Sequence, residues 1–374
     1  MKKTWIIIGV IVVILAIILI VTQTKKEEDV IKIGAILPLT GSAAIWGENA
    51  KMGMEIALEE INENGEIKGR KIELIFEDSQ SDPSRAVSAL QKLISNDGVQ
   101  VVIGDIASSS VLAMAPIAEK AKVVLLSPGA SNPDISHAGE YIFRNWQSDA
   151  LEGEINARYA YEKLGYKRIS ILYVNNAYGA GLKTVFERIF NNLGGTILIK
   201  ETFEQGAIDF RTQIAKISRS KPDAIFMPGY PPEMALILKQ SKEMGIKVKF
   251  LSVQAFDDTK IIEVAKDASE GVIFSIPKPP DTSETTVSKF IQNYRKKYKR
   301  EPGVCSDTGY DALKIIVWAL NRISEVSGPA IKDELVKLKN FQGAAGITTF
   351  DTNGDVIKPF VFKTVNNGKM IELK

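Results

Sequence analysis

Across 374 residues there is one cysteine, Cys305, and one histidine, His137. A disulfide within the chain is impossible, and a metal centre built from several Cys and His ligands is excluded by count. Ser–His or Cys–His catalysis would have to use His137, which sits in the polar loop stretch Ser136-His137-Ala138-Gly139. No Gly-x-x-x-x-Gly-Lys phosphate loop, Gly-x-Ser-x-Gly elbow or His-Glu-x-x-His helix occurs. Gly179-Ala180-Gly181-Leu182-Lys183-Thr184 begins like a dinucleotide loop but lacks the third glycine. Asp351-Thr352-Asn353-Gly354-Asp355 begins like a calcium loop, yet Val356 follows and no suitable glutamate closes it. These absences argue against an enzyme and against any resident metal or cofactor. Net charge is also small: 47 basic and 45 acidic residues leave +2, and no long basic stripe points to nucleic acid. The densest run, Arg295-Lys296-Lys297-Tyr298-Lys299-Arg300, ends a helical pattern, where cations complement the helix dipole.

What is present begins with an address. Lys2 and Lys3 precede Trp5–Val21, an apolar run without a charge, and Lys25-Lys26-Glu27-Glu28-Asp29 follow. As a helix the run spans about 26 Å, just short of a ~30 Å hydrocarbon core. It is longer than an ordinary signal core, has no clear small-x-small cleavage site, and no cysteine follows to carry a lipid. An uncleaved membrane anchor is expected in preference to a cleaved signal. Either way, the leading lysines place residues from about 30 onward outside the cytoplasm.

Beyond residue 30, short β-branched runs alternate with helical patterns. Strands are expected at 31–37, 71–76, 99–103, 123–126, 168–174, 196–200, 224–227, 248–252 and 271–275, with helices between them and a long loop over 127–145. Such regular alternation means α/β architecture with parallel, doubly wound sheets, and two sets of four or five strands suit two lobes. Pro277, Pro279 and Pro280 mark a crossing between them. In the tail, Asn353-Gly354 and Asn367-Gly368 predict two hairpins.

Ligands of open α/β sheets bind beyond the carboxyl ends of the strands. There, Gly104-Asp105-Ile106-Ala107-Ser108-Ser109-Ser110 joins a strand to a helix start. A helix start offers unpaired N–H groups and partial positive charge, and the serines add neutral donors, so the place suits a small carboxylate.

Ile33-Gly34-Ala35-Ile36-Leu37-Pro38-Leu39-Thr40-Gly41, Trp46-Gly47 and Ile61-Asn62-Glu63-Asn64-Gly65 open a pattern that continues through the Gly104–Ser110 cluster and Ser127-Pro128-Gly129-Ala130-Ser131. It runs on through Asn175-Asn176-Ala177-Tyr178-Gly179 and Gly229-Tyr230-Pro231-Pro232-Glu233-Met234. Together these segments resemble the leucine/isoleucine/valine-binding proteins of branched-chain amino-acid ABC transporters, over essentially everything after residue 30. The resemblance implies a type I periplasmic binding protein fold, two lobes joined by three crossings with a ligand closed between them. The divisions it suggests are 1–29 for anchor and linker, 30–148 plus 278–345 for one lobe, and 149–277 plus 346–374 for the other. By family position, Ser108 and Ser131, with backbone groups of Gly129 and Ala130, would hold a ligand carboxylate and part of its ammonium. Trp46 would cover the ligand's side chain, and Tyr178 and Tyr230 would close over it from the second lobe.

One position departs from the family. Amino-acid binders present an acidic residue to the ammonium after the strand written here Lys249-Phe250-Leu251-Ser252, where this chain has Gln254. An amide accepts a hydrogen bond but brings no charge. Asp257, Asp258 or Asp307 could stand in, or the ligand could be an amide, urea or organic acid. The function expected is an extracytoplasmic receptor that captures a small carboxylate-bearing solute, an apolar amino acid foremost, and hands it to ABC permease and ATPase subunits. The rival is a ligand-sensing ectodomain, against which stands the very short stretch ahead of the anchor.

Overall fold

The computed structural model describes residues 30–63, 67 and 69–373. The expected anchor, within residues 1–29, lies outside them. Among the described residues, no helix is long and apolar enough to cross a membrane.

Val30–Leu37 (β1), Ala44–Glu63 (α1), Lys71–Asp78 (β2), Pro83–Ser95 (α2), Val101–Gly104 (β3), Ser108–Ala121 (α3), Val124–Ser127 (β4) and Ile142–Arg144 (β5) build the first lobe. Its sheet has the order β2-β1-β3-β4-β5 and is parallel throughout. β1, β3 and β4 are nearly continuous apolar runs, as central parallel strands must be when helices cover both faces. Ala86, Leu90 and Leu93 of α2 meet Val111 and Met114 of α3 on one face, while α1 covers the other. Asp82 caps α2 by accepting the N–H of Arg85, with Pro83 in the first turn.

The second lobe opens with Asp149–Arg158 (α4), prolonged by one wide turn to Lys163. Arg168–Val174 (β6), Ala177–Asn192 (α5), Thr196–Phe203 (β7), Arg211–Arg219 (α6), Ala224–Phe226 (β8), Pro231–Glu243 (α7), Lys249–Ser252 (β9), Thr259–Ala265 (α8) and Ile273–Pro277 (β10) follow. The chain then returns to the first lobe as Thr285–Tyr298 (α9), Ser306–Leu320 (α10), Gly328–Leu335 (α11) and the small hairpin of Phe341–Gly343 (β11) and Gly346–Thr348 (β12). α10 lies against α1 so closely that a Cβ on Gly53 would sit 1.9 Å from the carbonyl oxygen of Ser306. Finally Phe360–Asn366 (β13) and Lys369–Glu372 (β14) complete a second sheet of order β14-β13-β10-β9-β8-β6-β7. The five strands from β10 to β7 are parallel, and β13 and β14 run antiparallel at the other edge. The chain thus forms two doubly wound lobes and passes between them three times.

Three expectations change in detail. The loop over 127–145 contains β5, whose three residues are too few to show a period but pair with β4 from Leu125 to Ser127. The Asn367-Gly368 turn joins β13 to β14, whereas Asn353-Gly354 makes no hairpin. Asp351 instead accepts the N–H groups of Asn353 and Asp355 and curls the chain into a tight loop. The lobe division at 345/346 falls inside the β11–β12 pairing, and Phe350 packs edge-on against Phe143 of β5 at 5.4 Å. We therefore place the third passage after Asp355, whose carboxylate holds the fully buried guanidinium of Arg144 at 2.6 and 3.0 Å.

Candidate ligand-binding site

The carboxyl ends of β1, β3 and β4 face those of β6, β8 and β9 across a cleft. A small cavity of about 30 Å³ lies there. Six of the eight residues singled out from the sequence line it: Trp46, Gly129, Ser131, Tyr178, Tyr230 and Gln254. Local chemistry explains how each arrives. The N–H of Ala44 bonds the carbonyl of Gly41, so α1 starts just ahead of Trp46. Asn176 caps α5 by accepting the N–H of Gly179, which fixes Tyr178 in the first turn. Tyr230 sits at the cap of α7, before Pro231 in the first turn. Its ring meets Trp46 of the other lobe edge-on at 5.2 Å and lies over Tyr178 at 5.8 Å. The lobes therefore meet through aromatics, in the closed form.

Ser108 and Ala130 are not part of that lining. Ser108 was expected to reach the ligand, but its hydroxyl accepts the N–H groups of Ser131 and Asn132, both at 3.2 Å, from behind the turn. The N–H groups of Gly129 and Ala130, expected to meet a carboxylate, bond the hydroxyl of Ser127 at 3.3 and 2.8 Å. The serines thus satisfy the turn internally. They shape the wall from beneath.

Sequence reasoning did not single out Ile106, Trp146, Ala255, Val304 and Cys305, which complete the lining. Trp146 lies on the first passage between lobes, and Val304 and Cys305 arrive from the return segment before α10. Nor did it single out Asp149 and Glu152, in the first turn of α4, both fully buried. The hydroxyl of Ser131 donates to Asp149 at 2.8 Å. Glu152 accepts the backbone N–H of Gln254 at 2.8 Å and the hydroxyl of Ser275 at 2.6 Å. Burial pushes the carboxyl of Asp149 up to about 7, against the pull of the Ser131 hydroxyl and of Arg144. Burial and the charge of Asp149 push Glu152 up to about 8, only partly offset by its hydrogen bonds. The Tyr178 phenol, buried beside both carboxylates, is held far above its ordinary value.

The acids named as stand-ins for Gln254 are otherwise engaged. Asp257 pairs with Lys363 at 2.9 Å, Asp258 caps α8 through the N–H of Lys260, and Asp307 accepts the N–H of Thr308. The side chain of Gln254 itself accepts a hydrogen bond from Gln147 at 2.9 Å.

Around this cavity stand polar atoms that are buried and have no partner: the indole Nε1 of Trp46 and of Trp146, the hydroxyl of Tyr178, Oδ1 of Asp149 and Oε2 of Glu152. An unmet buried donor or acceptor costs about 1–3 kcal/mol, so a cluster of them calls for an occupant. No arrangement of nucleophile and base accompanies them. The site is built to hold a molecule.

A periplasmic binding protein family model matches residues 30–369. The chain belongs to that family. Its known members bind solutes and this one is a solute-binding protein, not an enzyme. It is 29% identical over 335 residues to the leucine-, isoleucine-, valine-, threonine- and alanine-binding protein of Pseudomonas aeruginosa, covering 89% of each chain. It resembles the crystal structure of the leucine-binding protein LivK of Thermotoga maritima with a TM-score of 0.86 and 34% identity, over 92% of this chain and 98% of that one. The branched-chain amino-acid transporter substrate-binding protein LivJ of Streptococcus pneumoniae, solved with isoleucine, has a TM-score of 0.83 at 29% identity, over 92% of this chain and 100% of that one.

Proposed function

We propose that this chain is the receptor of an ABC transporter, working outside the cytoplasm, and that it captures an α-amino acid with a small apolar side chain. The reading is carried by the aromatic-walled cavity closed between the lobes, with its unpartnered polar groups. In this reading Trp46, Tyr178 and Tyr230 cover the ligand's apolar part. The indole N–H groups of Trp46 and Trp146 and the hydroxyl of Tyr178 are the donors open to its carboxylate. Ser131 forms the floor and Ser108 keeps that floor in place from behind. Ligand contacts from both lobes stabilise the closed form, and closure is what a permease would recognise. The apolar segment Trp5–Val21 tethers the receptor to the membrane, and permease and ATPase subunits receive the solute.

The relatives named above, one of them holding isoleucine, support the ligand class. The test is a thermal-shift screen of the purified protein against apolar and polar amino acids, followed by calorimetry. A rise of several degrees with leucine, isoleucine or valine and micromolar or tighter binding is expected, about 8 kcal/mol or more in free energy. A flat response to every apolar amino acid would remove the reading.

A further inference from the structure

Resting on that reading, we propose that Glu152, with Asp149 beside it, seats the ligand's ammonium group, so that a carboxylate on the first turn of α4 does the work that Gln254 cannot. The structure joins four observations to this end. Both carboxylates are fully buried, and each has one oxygen fixed by protein donors and the other without a partner. The fixed oxygen of Glu152 is held by the backbone N–H of Gln254, and that of Asp149 by the hydroxyl of Ser131. Gln254 and Ser131 are both on the cavity wall, so the two carboxyls stand directly behind it. Among the described residues no lysine or arginine lines the cavity, and the guanidinium of Arg144, which draws on Asp149, is bonded to Asp355.

Two buried carboxyls side by side keep their protons in preference to charge, and a cation that joins them favours the ionised pair. A primary ammonium has three N–H donors, enough for both open oxygens and one further acceptor. The aromatic rings of Trp46 and Tyr230 add an electrostatic face that favours the same charge. On this assignment the cavity rejects acids that lack the amine, since they would leave the two carboxylates unanswered. Gln254 keeps a different role, in which its backbone N–H aims Glu152 and its side chain is tied to Gln147.

Calorimetry at neutral pH compares L-leucine with 4-methylpentanoate, its amine-free counterpart, on the full chain and on Glu152→Gln and Asp149→Asn. The wild type is expected to bind leucine and to bind 4-methylpentanoate at least roughly tenfold more weakly. Glu152→Gln is expected to weaken leucine by roughly tenfold or more while its ligand-free melting temperature holds or rises, because a buried ionisable carboxyl has gone and the amide keeps an acceptor for the Gln254 N–H. Leucine bound equally by wild type and by both variants would overturn the ammonium seat and leave the amino-acid reading standing. Equal wild-type affinity for leucine and 4-methylpentanoate would overturn the seat too. No binding of any apolar amino acid by the wild type would remove the reading on which it rests.

Discussion

Asp149 and Glu152 read, in the sequence, like any acids in the first turn of a helix, where the dipole favours them. Only the fold shows that they are buried, because the loop carrying Ser131 and the strand carrying Ser275 close over them. That burial has a measurable consequence. Both carboxyls are pushed up on folding, so between about pH 4 and about pH 8 the folded chain holds more protons than the unfolded one. Their contribution therefore favours folding at low pH and is lost as the pH rises through that window. The groups facing them do not cancel the trend: the pull of the Arg144 guanidinium on Asp149 is outweighed by burial, and the phenols of Tyr178 and Tyr230 stay neutral throughout. The ligand-free protein should thus lose several degrees of melting temperature between pH 5 and pH 8, and Glu152→Gln should flatten the slope. A melting temperature that rises over that range in the wild type and the variant alike would contradict this burial. Trp46, Tyr178 and Tyr230, which line the cavity, were singled out only through the family resemblance. Trp146, Val304 and Cys305 were not, since each lies on a segment between elements and is brought to the cavity only by long-range packing.

Helices and strands were mostly legible, for the reason that a parallel strand covered on both faces is an unbroken apolar run. β5 escaped because three residues carry no period, and the Asn353-Gly354 signal misled because Asp351 organises that loop from within. Helix packing depends on something subtler. α1 and α10 approach backbone to backbone at Gly53 and Gly309, where a Cβ would lie 1.9 Å and 2.5 Å from the carbonyl oxygens of Ser306 and Ala50. Neither oxygen belongs to a flexible side chain, so relief requires the helices to part. Gly53→Ala should cost about 3 kcal/mol or more, read as a lower urea midpoint, while the folded fraction binds ligand with unchanged affinity. An unchanged midpoint would mean that the two helices are not locked at this crossing.

Across the whole chain, the closed form is held by contacts that no single lobe can make. The side chain of Asn132 donates to the carbonyl of Ala177 at 2.5 Å, and the hydroxyl of Ser109 accepts the Ala177 N–H at 3.1 Å. Gly181 lies under the same seam, and a Cβ there would meet the Asn132 amide at 2.7 Å and Pro133 at 3.1 Å. Gly181→Val should wedge the seam apart, giving a larger radius of gyration in solution scattering with ligand and a roughly tenfold weaker affinity. Scattering and affinity indistinguishable from wild type would show that closure does not need this seam. The paired Arg144 and Asp355 add a mechanical corollary. One residue stands at the end of β5 and the other on the last stretch before the third passage, so two of the three straps leave the first lobe from a single riveted point. A joint pinned in this way swivels about one axis instead of wobbling, and each opening of the jaws returns them to the same bite.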